Sequence, residues 1–211
     1  MFEFKNVTYK SILDIPSLKI DKEKITTIVG QSGSGKTTIL KLLNKMISPT
    51  SGEIYFNGEY MEKLNTIEHR RQVTMLSQAS VLFDGNIKDN LTAGLRFQKK
   101  DIPNDEDLEQ MLNNVKLMKC LDSPTDRLSG GEKQRLALGR VLLLDSPVYL
   151  LDEPSSALDE LTAEAVIEMI TGYIKSKNKT LIMVTHTNAI ADKYSDTVIE
   201  VSKGGANERH I

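Results

Sequence analysis

The chain has 211 residues, 39% of them hydrophobic and 27% charged, with a formal net charge of −2. That balance suits one well-buried domain with room for a small insertion, and it excludes a disordered or membrane-spanning chain. It also leaves no broad basic field of the kind a nucleic-acid binder presents.

The start, Met1 to Asn6, carries an acid and alternates like a strand, without the basic head and apolar run of a secretory signal, so a cytoplasmic protein is expected. β-like pieces follow at Phe2 to Tyr9 and Ser17 to Ile20, then the β-branched run Ile25 to Val29, a buried strand ending at Gly30. Ile39, Leu42, Leu43, Met46 and Ile47 recur at helical spacing until Ser48-Pro49-Thr50-Ser51-Gly52 breaks the pattern. Glu53 to Gly58 reads as a short strand with a turn, and Val73 to Leu76 as a strand leading to Gln78.

Between Gln78 and Leu128 the strand signals fade. Leu108, Met111, Leu112, Val115 and Met118 form a helical stripe behind the acidic start Asn104 to Asp107, so residues 79–128 are expected to be a helical insertion within one domain spanning 1–211. A helix from about Glu132, a strand at Val148 to Leu151, a helix after Asp159, a strand at Leu181 to Val184 and a last strand near Val198 to Val201 complete the chain. Strands alternating with helices predict an α/β fold with a largely parallel sheet covered on both faces. Cys120 is expected to be a packing residue, since it has no partner for a disulfide or zinc. The longest apolar runs, such as Val141 to Leu144 before Asp145, fall far short of the roughly 20 residues that span a bilayer.

Gly30-Gln31-Ser32-Gly33-Ser34-Gly35-Lys36-Thr37 satisfies G-x-x-x-x-G-K-[ST] between a buried strand and an amphipathic helix, where Thr38 follows. Backbone N–H groups of such a loop wrap phosphates, Lys36 reaches the terminal phosphates, and the Thr37 hydroxyl serves Mg²⁺. Val148-Tyr149-Leu150-Leu151-Asp152-Glu153 is an apolar strand ending in two acids. Beside a phosphate loop, Asp152 is the candidate for holding Mg²⁺ through its waters and Glu153 for accepting the proton of an attacking water or orienting that water.

Leu128-Ser129-Gly130-Gly131-Glu132-Lys133-Gln134-Arg135 is the decisive phrase, with a chance occurrence on the order of one in a million at average composition. It resembles the LSGGQ signature of the ABC ATPase superfamily. The phosphate loop, Gln78, the signature, Asp152-Glu153, Ser156-Ala157-Leu158-Asp159 and His186 follow in that family's order. The N-terminus at Ser129, Gly130 and Gly131 is a second anion-binding end that the chain's own phosphate loop does not need. The resemblance implies a P-loop NTPase of ABC type with an N-terminal antiparallel β piece, binding ATP and Mg²⁺ between two subunits paired head to tail. It also implies that Gln78 touches Mg²⁺ and the coupling region, that Asp159 communicates across the dimer, and that His186 meets the γ-phosphate.

Tyr9 is the position for stacking on adenine, with plain packing the alternative, and Leu82 to Ile87 either borders a groove for a permease helix or is core. The expected partners are a second ATPase subunit and a separate transmembrane permease that holds the chain at the inner face of the membrane. Two phrases, Leu128 to Arg135 and Ser156 to Glu160, resemble those of compact bacterial ATPases of small export permeases, an iron-exporter group among them. The alternative function is a non-transport ABC ATPase acting on nucleic acid or the ribosome.

Overall fold

Apolar side chains alternate along Phe2–Tyr9 (β1) and Leu13–Ile20 (β2). In the computed structural model, which describes residues 1–202 and 205–210, they form an antiparallel hairpin with Phe2 opposite Ile20 and Tyr9 opposite Leu13. Ser51–Phe56 (β4) joins the other side of β1 and Glu59–Tyr60 (β5) follows, giving the order β2-β1-β4-β5. β2 starts ahead of the Ser17 expected from sequence. Its edge position tolerates Pro16, which cannot donate to a ladder.

The second sheet is the platform of the site. Ile25–Gly30 (β3), Val73–Leu76 (β6), Val148–Asp152 (β7), Thr180–Val184 (β8), Thr197–Ser202 (β9) and Gly205–His210 (β10) lie in the order β10-β9-β3-β8-β7-β6. All pairings are parallel except that of polar β10, which adds antiparallel to β9. β7 and β8 are buried at every position, as strands covered on both faces must be. Val148 and Leu150 pack with Ile39 and Leu43 of helix α1 (Lys36–Leu43) and with the antiparallel sheet. Tyr149 and Leu151 point the other way, against α5 (Gly130–Leu142) and α6 (Glu160–Ser176).

Between β6 and β7 run α3 (Ile87–Gln98) and α4 (Asp105–Asn114), each opened by an asparagine cap, Asn86 or Asn104. The stripe expected to reach Met118 stops at Val115. Lys116 turns left-handed at φ 60° and Met118 is exposed. Leu117 and Leu121 take the buried places in the following loop, so Cys120 is exposed rather than packed. α1 likewise ends before Met46, because Lys45 turns left-handed and its Nζ donates to Met61 O and Leu64 O, both at 2.6 Å. Two short polar helices, α2 (Thr66–Gln72) and α7 (Asn188–Tyr194), and a single 3-10 turn at Met61–Lys63 complete the described elements. Among the described residues no helix is long and apolar enough to cross a membrane.

α3 sits against α5 at Gly139, where an added Cβ would lie 3.0 Å from Leu91 Cδ1. Gly139→Leu should therefore force the two helices apart and lower unfolding stability by about 1–3 kcal/mol. Urea unfolding measures this, and an unchanged midpoint would mean that the contact gives way freely.

Candidate active site

The sheet delivers three strand ends to one place. β3 leads into the phosphate loop, whose Gly35 caps α1 at φ 104°, a conformation glycine adopts without penalty. A side chain there would also strike Leu13 Cδ2 at 2.5 Å, so the tip of the β1–β2 hairpin rests directly on the loop. Gln31, Ser32 and Gly33 are exposed, whereas Ser34 and Lys36 are buried and Thr37 and Thr38 half-buried in the first turn of α1. Lys36 Nζ donates to Gly30 O and Gln31 O, both at 2.8 Å. Burial lowers its pKa, opposed by the negative charges of Glu153 and Asp152. A cavity of about 640 Å³ opens over Gly30 to Ser34 and is walled by His186, Asn188, Glu200 and Asn207 among others.

Asp152 closes β7 at 2% exposure and accepts a hydrogen bond from Thr37 Oγ1 at 3.1 Å. Burial raises its carboxyl above the ordinary carboxylate value, against the pull of that hydrogen bond. Glu153 follows with φ 50°, a left-handed backbone that costs a residue with a side chain about 1–2 kcal/mol. Its N–H donates to Val184 O at 3.1 Å. Its carboxylate lies between two groups the sequence had singled out: His186 Nε2 is 2.6 Å from Oε1, and Gln78 Nε2 donates to Oε2 at 2.8 Å. Lys36, Thr37, Gln78, Asp152, Glu153 and His186 thus gather at one end of the parallel sheet.

The signature lies elsewhere. Ser129 caps α5, accepting from Glu132 N–H at 3.3 Å, while Glu132 Oε2 accepts the Ser129 N–H at 2.9 Å. That reciprocal box holds the Glu132 carboxyl below its usual range. Ser129 and Gly130 are exposed, and a Cβ on Gly130 would meet nothing within 4 Å. At Gly131 it would meet Ala157 O at 2.9 Å. Gly131 is thus explained by packing within the chain, and Gly130 is not. Among the described residues no hydrogen bond joins Ser129, Gly130 or Gly131 to the phosphate loop.

Tyr9 does not line the cavity over the phosphate loop. It is half-buried against the core of the antiparallel sheet, with Lys10 Nζ 5.3 Å from its ring centroid. Leu82 to Ile87 divides between the two roles open to it: Ile87 is fully buried, and Phe83 is exposed edge-to-face with Phe97 at 5.7 Å. Sequence reasoning missed Gln134, which is 3% exposed between α5 and the turn after β7. The signal was its i, i+4 spacing with buried Leu138 and Leu142, which places an amide on the core face.

The residues fit a magnesium nucleotide. Ser34 Oγ is buried without a hydrogen-bond partner inside the loop, and such an orphan is a donor awaiting an acceptor. A hard cation takes oxygen donors, and the Thr37 hydroxyl and Asp152 carboxylate supply them side by side. No group of three His, Cys, Asp or Glu suited to a metal occurs among the described residues, so a cation here would lean on phosphate and water oxygens as well.

Comparison with known proteins gives the class. The chain belongs to the ABC transporter family, whose match spans residues 13–156, and it is one of that family's ATPases. The thiamine import ATP-binding protein ThiQ of Histophilus somni (strain 129Pt) is 36% identical over 218 residues, covering 97% of this chain and 99% of that protein. The fold superposes with a TM-score of 0.87 and 26% identity on the ATP-binding cassette MJ0796 in a dimeric post-hydrolysis state bound to ADP and Pi, over 100% of this chain and 98% of that one. A bacterial Atm1-family ABC exporter with ATP bound gives 0.89 and 27%, over 99% of this chain and 38% of the exporter.

The raised pKa of Asp152 has a consequence for stability. The folded chain holds that proton more tightly than the unfolded chain, so stability is lost as pH rises from the ordinary carboxylate range through the raised value. Asp152→Asn, always neutral, should melt above the parent at neutral pH in the absence of nucleotide, with the gap closing as the pH is lowered. Thermal melts across pH measure this; a variant that melts lower at neutral pH would show that the ionised carboxylate stabilises the fold.

Proposed function

We propose that the chain is the ATP-binding and hydrolysing subunit of an ABC transporter, which pairs head to tail with a second copy and drives a separate membrane permease. The carrying observation is the division of the site. Glu153 stands between Gln78 and His186 at the mouth of the phosphate loop, while the exposed N-terminus of α5 carries its own Glu132 carboxylate on the Ser129 N–H and, among the described residues, leaves Gly130 and Gly131 without an anion. A second copy supplies that anion, and the first copy's α5 closes over the second's phosphate loop. The dimeric form of the MJ0796 cassette supports this pairing.

In this reading Gly30 to Thr38 wrap the phosphates through backbone N–H groups, Ser34 Oγ gains the partner it lacks, and Lys36 exchanges its two carbonyls for phosphate oxygens. Thr37, Asp152 and Gln78 would hold Mg²⁺, which would supply positive charge against the phosphates. Glu153 orients the attacking water and takes its proton, and His186, fixed on the Glu153 carboxylate, faces the terminal phosphate. Tyr9, at the hairpin whose tip rests on Gly35, stacks on adenine. Ser129, Gly130 and Gly131 meet the phosphates held by the partner subunit, and Asp159 sits at the junction between subunits.

Residues 1–211 act as one unit in which 79–128 is a helical insertion, and the exposed Phe83 and Phe97 offer the permease an apolar contact. The permease holds the chain at the inner face of the membrane. Cargo and direction reside there, since an import subunit and an exporter both align with nearly the whole of this chain.

Lys36→Ala should weaken ATP binding about tenfold or more, as removing a charged donor to phosphate does; calorimetry giving the parent affinity would contradict the phosphate-loop reading. Ser129→Arg should leave ATP binding to the monomer unchanged yet cut steady-state turnover about 100-fold, because the arginine blocks the partner's phosphates. Parent-like turnover would contradict the shared site.

A further inference from the structure

The side chain of Gln134 is turned into the chain and sits at a junction. Nε2 donates to the Glu153 carbonyl oxygen at 2.8 Å and lies 3.4 Å from Ser156 Oγ, and Oε1 accepts the Ala157 N–H at 3.1 Å. The amide therefore clamps both sides of the turn that follows β7. Buried at 3% exposure, it makes these bonds where water does not compete for them.

The clamped turn has a conformation that needs holding. Glu153 is left-handed at φ 50°. Its N–H is fixed by Val184 O, and its carbonyl also accepts from Ser156 N–H and Ser156 Oγ, each at 3.2 Å. With the peptide groups on both sides of its Cα fixed, the direction of the Glu153 side chain is set, and its carboxylate reaches Gln78 and His186. Gly131, one turn earlier in α5, presses on the same turn, with room for no Cβ beside Ala157 O. At the far end of α5, Arg140 donates to Val81 O at 2.6 Å and lies 5.3 Å from the Phe83 ring. The segments after β6 and β7 are thus both tied to one helix.

We infer that Gln134 is a positioning residue: it couples the seating of α5, whose N-terminus meets the second copy's nucleotide, to the placement of this protomer's own Glu153 carboxylate. The inference rests on the reading of Glu153 as the group that activates water. A rigid helix moves as a unit, so occupation of its N-terminus on one side of the dimer sets the Glu153 carbonyl, and with it the attack geometry, on the other. Each subunit then hydrolyses its own ATP only when its α5 is closed over the partner's.

The test uses the full chain with Gln134→Met, which keeps length and burial but removes the hydrogen bonds, and Gln134→Ala. Each is made alone and on a Glu153→Gln background, where turnover is read as single-turnover phosphate release. Alone, both should keep the KM for ATP within about twofold while kcat falls about tenfold or more. On the Glu153→Gln background neither should lower the rate further, because the carboxylate being positioned is gone. Unchanged kcat in the single variants would overturn the inference. Equal falls in both backgrounds would also overturn it, since a purely structural defect lowers both alike. A Glu153→Gln protein that turns over at the parent rate would instead remove the premise, by taking Glu153 out of the chemistry.

Discussion

The parallel register of β3, β8 and β7 is the constraint on which the site depends. Ile28 stands opposite Val184, and Val184 opposite Asp152, so β7 and β8 end level and β3 runs on past them to Gly30. The phosphate loop, Glu153 and His186 emerge side by side from those ends. A slip of one residue in β7 would exchange Tyr149 and Leu151 for Val148 and Leu150 between two cores and turn Asp152 away from Thr37. Burial of both faces therefore enforces the register, and the register sets the chemistry. The same burial desolvates Lys36 and Asp152, two groups whose charges phosphate and a cation would balance.

What burial does not explain is equally informative. Among the described residues, Lys36 turns back onto its own loop, Ser34 Oγ has no hydrogen-bond partner, and Gly130 has open space where a side chain could stand. Packing within the chain requires none of the three, and the proposed phosphate site would use each. The two sets, loop and signature, lie on separate parts of the surface, and in the proposed pair a second copy brings them together. In the proposed pair, hydrolysis would use a carboxylate already held by Gln78 and His186, which would leave little reorganisation for the moment of attack.

The sequence announced the strands of the platform because continuous apolar runs ending in glycine or acid have few other readings, and it placed the glycine-rich segment Gly30 to Gly35 between a buried strand and a helix, where the structure has it. It was silent where burial is slight. α2, α7 and β10 are short and polar, with no apolar period to detect. α3 was legible in Asn86 and the spacing of Ile87, Leu91 and Leu95, yet it passed unremarked beside the clearer stripe of α4. Cys120 was misplaced because the stripe was carried past Val115, although nothing in composition marks the left-handed turn at Lys116. Gln134 was hidden inside a motif recognised for its glycines, and only tertiary packing reveals that its amide faces inward.

The central claim is that ATP completes the site by joining two copies. Light scattering on the Glu153→Gln protein after size-exclusion chromatography, with and without MgATP, tests it most directly. The account predicts a monomer without nucleotide and a dimer with it, stable because hydrolysis is blocked. A monomer at saturating ATP would contradict a site that closes by pairing of this chain alone.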